Sequence, residues 1–348
     1  MNNQSFNFND INEALLKVDI VKVISSYITL TQKGRNYVGL CPFHNDTNPS
    51  LSVSPEKRIY KCFVCGAGGS AVTFVQDYEK ISFTKALQTV QTISGVSMPF
   101  LQQFDSRDTA TNDEEKRLLE LVQSIQSFYG FQLKVAAGSK ALNYLRSRHI
   151  DDAIIERFQL GYSLSDGKLL INFLTSKGFT IDEILKSGIA SYIDGEAYDM
   201  MRDRITFAIH NHYGKIVAYS GRRFDEIKDQ KYINSQETKL FRKSSIVYNF
   251  NNASLEARKT GHIYVVEGFM DVIALYRSGV HNVVATMGTA LTSEHIKELA
   301  KLKAEIRIMF DSDRAGRIAT LRALDLLESK NIPIKIVKSF EEAKDADE

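Results

Sequence analysis

The sequence predicts a protein of several domains: a small β-ribbon domain with flanking helices, then an α+β core that ends in a mostly parallel α/β sheet. Three observations predict this organisation. Three cysteines and a histidine lie close together in the N-terminal part, strand-like alternation follows Arg204, and strand–helix units follow Gly261. A chain of 348 residues is long enough for two or three domains with separate cores.

The composition is that of a soluble globular protein, with 43% hydrophobic residues, 25% charged residues and a mean hydropathy of −0.21. The longest apolar stretch, Tyr264 to Leu275, contains Glu267 and Asp271, so no membrane-spanning helix is predicted there. The N-terminus is polar and lacks the basic and apolar regions of a secretory signal. We therefore expect a cytoplasmic protein.

The formal net charge is only +2, but the charge is unevenly distributed. Between Arg202 and Lys243 the chain has ten basic and five acidic residues. Such a local excess predicts a surface that binds a polyanion.

The first predicted domain covers residues 1–104. An amphipathic helix from Ile11 to Val23, capped by Asn9 or Asp10, begins it. Short strands follow at residues 37–40, 50–53 and 58–62, and helices at 71–78 and 83–93. Residues 105–115 are polar and lose all periodicity, which predicts a linker.

Four residues of this domain have the spacing of metal ligands: Cys41-x₂-His44 and Cys62-x₂-Cys65, separated by seventeen residues. Each pair can fold back on one ion, and the intervening residues can form a hairpin that completes a tetrahedral site. The alternative is three buried thiols and an incidental histidine. A closed set of four ligands predicts one structural Zn²⁺.

Aromatic and basic residues alternate with these ligands, as in proteins that hold single strands by stacking and phosphate contacts. We expect Tyr37, Arg58 and Tyr60 on the exposed, nucleic-acid-binding face. Phe43 and Phe63 are expected to pack the small core.

The core is predicted to have two parts, residues 116–258 and 259–348. The first begins with a helix that has a broad apolar face and changes to strands from Arg204. The second alternates helices with strands at residues 263–266, 283–286, 306–310 and 334–337, the pattern of a parallel sheet covered by helices.

Acidic residues follow two of these strands. Glu267 ends the first, with Asp271 one turn into the next helix, and Asp311 and Asp313 end the third. Since ligands bind at the carboxyl ends of parallel strands, these carboxylates can converge on a hard cation such as Mg²⁺ or Mn²⁺. Asp311 or Asp313 could instead simply cap a helix. The chain contains no G-x-x-x-x-G-K-[ST] motif, so no P-loop motor is predicted.

Three sets of motifs, in chain order, resemble the bacterial DNA primases of the DnaG family. The zinc-binding domain is matched by residues 35–44 (RNYVGLCPFH) and 60–69 (YKCFVCGAGG), the RNA polymerase core by 202–207 (RDRITF) and 231–238 (KYINSQET), and the TOPRIM subdomain by 265–272 (VVEGFMDV) and 311–316 (DSDRAG). The resemblance covers nearly the whole chain.

The resemblance implies a zinc ribbon followed by a TOPRIM-containing polymerase, which synthesises short RNA primers from ribonucleoside triphosphates on single-stranded DNA through an RNA–DNA hybrid. It implies that Glu267, Asp311 and Asp313 hold catalytic Mg²⁺ or Mn²⁺, with Asp271, Asp345 and Asp347 completing the acidic patch. Six further residues match family positions that line a basic groove for nucleic acid and nucleotides: Arg202, Arg204, Arg222, Lys231, Asn234 and Lys243.

The family members continue beyond the final acidic motif, where this sequence ends at Glu348. We therefore expect the rest of the polymerase core and the C-terminal helicase-docking domain to be absent, and the chain to act as a monomer that the replicative helicase does not recruit. Two alternatives are compatible with the sequence: another TOPRIM enzyme, such as a topoisomerase or nuclease, and a zinc-ribbon DNA-binding or recombination-mediator protein without catalysis.

Overall fold

A computed structural model of the protein describes residues 13–79, 81, 83–225, 230–288, 290–330 and 332–337. The chain forms two compact units. The first runs to Thr111 and includes Leu255–Gly261, and the second comprises Asn112–Ser254 and the residues from His262 onward. In the part of the chain that is described, no helix is both long and apolar enough to cross a membrane.

The first unit is an antiparallel ribbon, with helices before and after it in the sequence. Its helices include α1 (Ile20–Ser25), α2 (Ala71–Glu79) and α3 (Phe83–Ser94). Its sheet has five strands in sequential order: β1 (Thr31–Lys33), β2 (Asn36–Gly39), β3 (Leu51–Ser54), β4 (Ile59–Cys62) and β5 (Gly68–Gly69). The three strands predicted here are confirmed, each to within a residue.

The predicted helix from Ile11 to Val23 is interrupted. Residues 13–16 are helical, and a new helix begins after Asp19, whose side chain accepts hydrogen bonds from the amides of Val21 (2.8 Å) and Lys22 (3.2 Å). An Asp side chain competes for these amides and starts a helix more readily than it continues one. The expected caps Asn9 and Asp10 lie outside the described residues.

The alternation of side chains along strand β4 determines which aromatic residues face the core. The expectations that Tyr60 is exposed and that Phe63 packs the core are both wrong. Tyr60 is only 1% exposed and packs edge-on against Phe74, with ring centroids 5.2 Å apart, whereas Phe63 is 74% exposed. Side chains alternate across a strand, so Tyr60 lies on the same face as Cys62, which must point inward. Phe43 packs against Phe74 as expected.

Helix α4 (Gln102–Lys134) contains the predicted linker, residues 105–115. The boundary between the two units falls within this helix, after Thr111. From Leu121 onward the helix buries an apolar face that includes Ile125 and Tyr129. The segment predicted to be irregular is thus helical, and the proposed domain limits stay a prediction.

The first part of the second unit is an antiparallel sheet with short helices. The helices are α5 (Ser139–Ser147), α6 (Asp152–Arg157), α7 (Lys168–Ser176), α8 (Ile181–Lys186) and α9 (Phe250–Thr260), the last of which extends into the first unit. The strands are β6 (Leu160–Ser163), β7 (Ala190–Ile193), β8 (Glu196–Asp199), β9 (Arg204–His210), β10 (Ile216–Arg222) and β11 (Tyr232–Asn234). Four of them pair in the order β11-β10-β9-β6, and β7 and β8 form a separate hairpin.

The parallel sheet predicted for the end of the chain is confirmed. Its strands are β12 (His262–Val266), β13 (Val283–Ala285), β14 (Glu305–Ile308) and β15 (Ile334–Ile336), which pair in parallel in the order β13-β12-β14-β15. The helices are α10 (Phe269–Arg277), α11 (Ser293–Ala300) and α12 (Arg314–Glu328). Because β12 and β14 are neighbours, with Val265 opposite Ile308, the residues that follow them lie side by side.

Candidate functional site

The four predicted zinc ligands come together in the first unit. The ligand atoms of Cys41, His44, Cys62 and Cys65 all lie within 4.8 Å of one another. The sulfurs of Cys41 and Cys65 are 3.7 Å apart, and the Nδ1 atom of His44 is 4.0 Å from the sulfur of Cys62. A tetrahedral zinc with Zn–S bonds of about 2.3 Å separates its sulfurs by about 3.8 Å. The cluster therefore fits one zinc ion.

The thiol electrostatics also favour a cation. The hydrogen bond from Cys41 lowers the pKa of Cys65 to about 5, and the same contact, together with burial, raises the pKa of Cys41. Two buried thiolates this close repel each other, so one thiol keeps its proton. A divalent cation removes that repulsion and allows every sulfur to ionise.

The acidic residues of the second unit meet at the ends of β12 and β14. The Oε1 atom of Glu267 accepts a hydrogen bond from the amide of Asp311 at 3.1 Å. Gly316, in the first turn of α12, lies directly against both residues. A Cβ atom there would be 2.1 Å from the carbonyl oxygen of Asp311 and 2.9 Å from Glu267 Oε1. The close approach of these two acids thus requires a glycine.

The other predicted acids occupy different positions. Asp313 caps α12 by accepting from the amide of Gly316 at 2.9 Å, and Asp271 accepts from the amide of Gly268 at 2.9 Å at the start of α10. Asp313 thus makes the capping contact considered as the alternative, and Asp271 bonds the amide of the residue that precedes α10. Asp345 and Asp347 lie outside the described residues.

A cleft of about 410 Å³ in the second unit joins the acids to part of the basic region. It is lined by the predicted residues Glu267, Asp271, Asp311, Arg222, Lys231 and Asn234, and also by Arg148, Tyr232, Met287 and Gly288 among others. Oxygen ligands for a hard cation thus border the same space as cationic groups suited to phosphate. Tyr232 lies within the recognised motif at residues 231–238, whereas nothing in the local sequence singles out Arg148.

Arg222 is held in the cleft by aromatic rings. Its guanidinium lies 5.4 Å from the ring centroid of Tyr144 and 5.6 Å from that of Tyr232. Within the described ranges, the buried Nε and Nη1 atoms of Arg222 and the Oδ1 atom of Asn234 have no hydrogen-bond partner. Buried polar groups normally have partners. The Arg222 and Asn234 side chains beside the cleft therefore retain unused hydrogen-bonding capacity.

Three basic residues expected in the groove do not line this cleft. Arg204 is 6% exposed and donates to the carbonyl oxygens of Arg202 (3.0 Å) and Gln230 (3.3 Å). Since β9 is buried along almost its whole length, Arg204 supports the backbone next to Lys231, and a direct phosphate contact is not consistent with its position. Lys243 is half-buried, and its carbonyl oxygen lies 3.1 Å from Nε2 of His295.

Arg202 is held by Asp199, a buried residue that the sequence patterns did not single out. Its Nη1 atom donates to the carbonyl oxygen of Asp199 at 2.9 Å. The Asp199 side chain accepts from the hydroxyls of Tyr129 (2.9 Å) and Ser163 (2.5 Å) and from the amide of Met201 (2.7 Å). Burial raises the pKa of Asp199 to about 6, against the effect of these donors.

Of the residues expected on the DNA-binding face of the first unit, Arg58 is exposed and Tyr37 is half-buried, while Tyr60 is in the core. Arg58 has a positive φ of 53° in the turn between β3 and β4.

The fold and the sites define a class of protein: a zinc ribbon joined to a Toprim-type catalytic core. Three family models match the chain in the same order. They are the CHC2 zinc finger at residues 7–106, the N-terminal domain of the DNA primase catalytic core at residues 128–254, and a Toprim-like domain at residues 264–348.

Similar proteins agree with these matches. DNA primases of Staphylococcus epidermidis and Clostridium acetobutylicum are 37% and 38% identical over 94% and 95% of this chain. The chain spans about half the length of these curated relatives, 55% and 54%. A crystal structure of the zinc-binding and RNA polymerase domains of Aquifex aeolicus primase is 33% identical, with a TM-score of 0.62, and the match covers 97% of this chain and 81% of that one. This chain belongs to the DnaG family of bacterial DNA primases.

A DnaG catalytic domain bound to single-stranded DNA is also similar. It is 27% identical with a TM-score of 0.61, and the match covers 68% of this chain and 74% of that one.

Proposed function

We propose that the chain synthesises short RNA primers from ribonucleoside triphosphates on a single-stranded DNA template. The observation that carries this proposal is the shared cleft, in which Glu267 and Asp311 border the same space as Arg222, Lys231 and Asn234. Family membership and the DNA-bound catalytic domain among the similar structures support a DNA template. The RNA–DNA hybrid, a monomeric state and a cytoplasmic location at the replication fork belong to the same proposal.

The acidic residues would hold the catalytic metal. Glu267 and Asp311 supply carboxylate oxygens at adjacent strand ends, and Asp271 lines the same cleft. Asp313, Asp345 and Asp347 are the further members of the proposed set. Bound Mg²⁺ or Mn²⁺ would lower the pKa of the attacking 3′-hydroxyl and stabilise charge on the transferred phosphoryl group.

The basic and aromatic residues would position the nucleotide and the template. Lys231 is exposed on the cleft and can neutralise phosphate, while the buried Arg222 contributes its positive charge to the wall of the cleft. Tyr232 lies next to them, with its ring against Arg222 and Phe269. Arg204 would act indirectly by holding the carbonyl of Gln230, the residue before Lys231.

The first unit would bind the template with a zinc-stabilised ribbon. Cys41, His44, Cys62 and Cys65 leave no vacant position on a tetrahedral ion, so zinc would hold the fold rather than take part in catalysis. Tyr37 and Arg58 remain the candidates for DNA contact among the residues predicted there, because Tyr60 is in the core.

An assay of primer synthesis on single-stranded DNA with labelled ribonucleotides tests the proposal. Asp311→Ala should abolish synthesis and leave DNA affinity nearly unchanged, because an acid repels the polyanion and does not attract it. Asp325→Ala, an exposed acid on α12, is the matched control and should retain full synthesis. Normal primer yield from Asp311→Ala would contradict the assignment, and absence of synthesis by the unaltered chain would contradict the function itself.

A further inference from the structure

Asp46 lies directly behind the zinc ligands and is not one of them. Its side chain is only 6% exposed. The Oδ2 atom accepts a hydrogen bond from the amide of Cys41 at 2.7 Å and from the hydroxyl of Ser50 at 2.6 Å, and it also accepts from the amide of Ser50 at 3.3 Å. The Oδ1 atom is 3.6 Å from Nε2 of His44. One carboxylate is thus hydrogen-bonded to the backbone of one ligand residue and lies beside the imidazole of another.

Ser50 extends this contact to a third ligand. Its hydroxyl oxygen lies 3.2 Å from the sulfur of Cys62 and between that sulfur and Asp46. The carbonyl oxygen of Ser50 accepts from the amide of Phe63, the residue after Cys62. The position of Ser50, which Asp46 fixes by two hydrogen bonds, therefore sets the position of the second ligand pair.

The arrangement around His44 determines which ring nitrogen can bind a metal. Nδ1 faces the sulfur of Cys62, whereas Nε2 faces Asp46. A carboxylate beside one imidazole nitrogen holds the proton there and leaves the lone pair on the other nitrogen. Such partners orient a ligating histidine.

We propose that Asp46 is a positioning residue of the zinc site, which selects Nδ1 of His44 as the ligand and fixes Cys41 and Cys62 before the metal binds. The hydrogen bond to the Cys41 amide holds that residue in the position that brings its sulfur next to the sulfur of Cys65. The carboxylate also holds the imidazole of His44 in one tautomer. The inference depends on zinc binding by the four ligands and is independent of the proposed catalysis.

Zinc affinity of the whole chain tests this proposal, measured by competition with a chromogenic chelator. Asp46→Asn keeps the shape of the side chain and removes its charge, and it should weaken zinc binding by about 10- to 100-fold, the usual effect of removing such a partner. Ser50→Ala should cause a smaller loss. Glu56→Gln, an exposed acid in the same ribbon, should cause none. Cys62→Ser removes a ligand and gives the zinc affinity of a chain whose site has lost one of its four ligands.

A second measurement does not depend on any variant. Long-range ¹H–¹⁵N correlation of the zinc-loaded, unaltered chain should show His44 protonated at Nε2 and metal-bound at Nδ1.

Cobalt-loaded Asp46→Asn should keep the absorption of a tetrahedral site with three sulfur ligands, because Asp46 is not a ligand. Equal zinc affinity of Asp46→Asn and the unaltered chain, a loss shared by Glu56→Gln, or metal at Nε2 of His44 would each overturn the proposal.

Discussion

Replacing Gly316 by alanine is the most direct test of how the two acids are brought together. The added Cβ atom would lie 2.1 Å from the carbonyl oxygen of Asp311 and 2.9 Å from Oε1 of Glu267. An ordinary carbon–oxygen contact is about 3.3 Å or longer. The first turn of α12 and the end of β14 must therefore separate by about 1 Å.

This displacement allows a rough magnitude. Overpacking of this kind costs about 1–3 kcal/mol, which lowers the melting temperature by about 2–4 °C per kcal/mol in a domain of this size. An error of about 1 Å in a catalytic geometry can reduce the rate by about 10²-fold. We expect primer synthesis by Gly316→Ala to fall by about this factor while the variant still folds.

The control is Gly130→Ala, a glycine within α4 whose added Cβ would meet nothing closer than 3.8 Å. Alanine is favoured over glycine in a helix by about 1 kcal/mol, so this variant should be as stable as the unaltered chain or more so, with full activity. Thermal melts and primer synthesis on single-stranded DNA measure both effects. If Gly316→Ala melts and synthesises like the unaltered chain, the described contact between Gly316 and the two acids is wrong.

Two further predictions concern charges in the second unit. Lys231→Ala should weaken binding to single-stranded DNA and reduce the slope of log K against log salt by about 0.7 for each phosphate that the lysine neutralises. Lys215→Ala, which changes an exposed lysine in the β9–β10 turn, should leave that slope unchanged. A salt titration that shows equal slopes for the two variants would refute the role of Lys231. The rise in the pKa of Asp199 from 3.8 to about 6 stabilises the fold most below pH 3.8, and this contribution, about 3 kcal/mol, disappears as the pH rises through 6. The melting temperature of Asp199→Asn relative to the unaltered chain should therefore increase between pH 4 and pH 7, and a constant difference over that range would show that the carboxyl does not titrate there.

Much of the fold followed from local patterns. The spacing of Cys41, His44, Cys62 and Cys65 predicted a cluster that the structure brings together, because two short turns and a hairpin are enough to close it. The four parallel strands were predicted from their apolar runs, and their order placed Glu267 beside Asp311.

What the sequence did not predict depended on contacts between distant segments. Arg148 follows a short helix and lines the cleft only because of how the second unit packs. Asp199 is an ordinary strand residue until Tyr129 and Ser163, from two other elements, meet its carboxylate. The excess of basic residues between Arg202 and Lys243 predicted a basic surface, but it could not show that Arg204 is turned inward.

Strand β4 also constrains how this protein can vary. Tyr60 and Cys62 share the inner face, and Ile59, Lys61 and Phe63 are exposed. Inserting or deleting one residue between the turn and Cys62 would exchange the two faces, withdrawing the thiolate from the metal and bringing a lysine into the core. Substitutions on the outer face do not change which side chains of β4 point inward. In this hairpin, insertions and deletions should therefore be tolerated far less well than substitutions of the outward-facing residues.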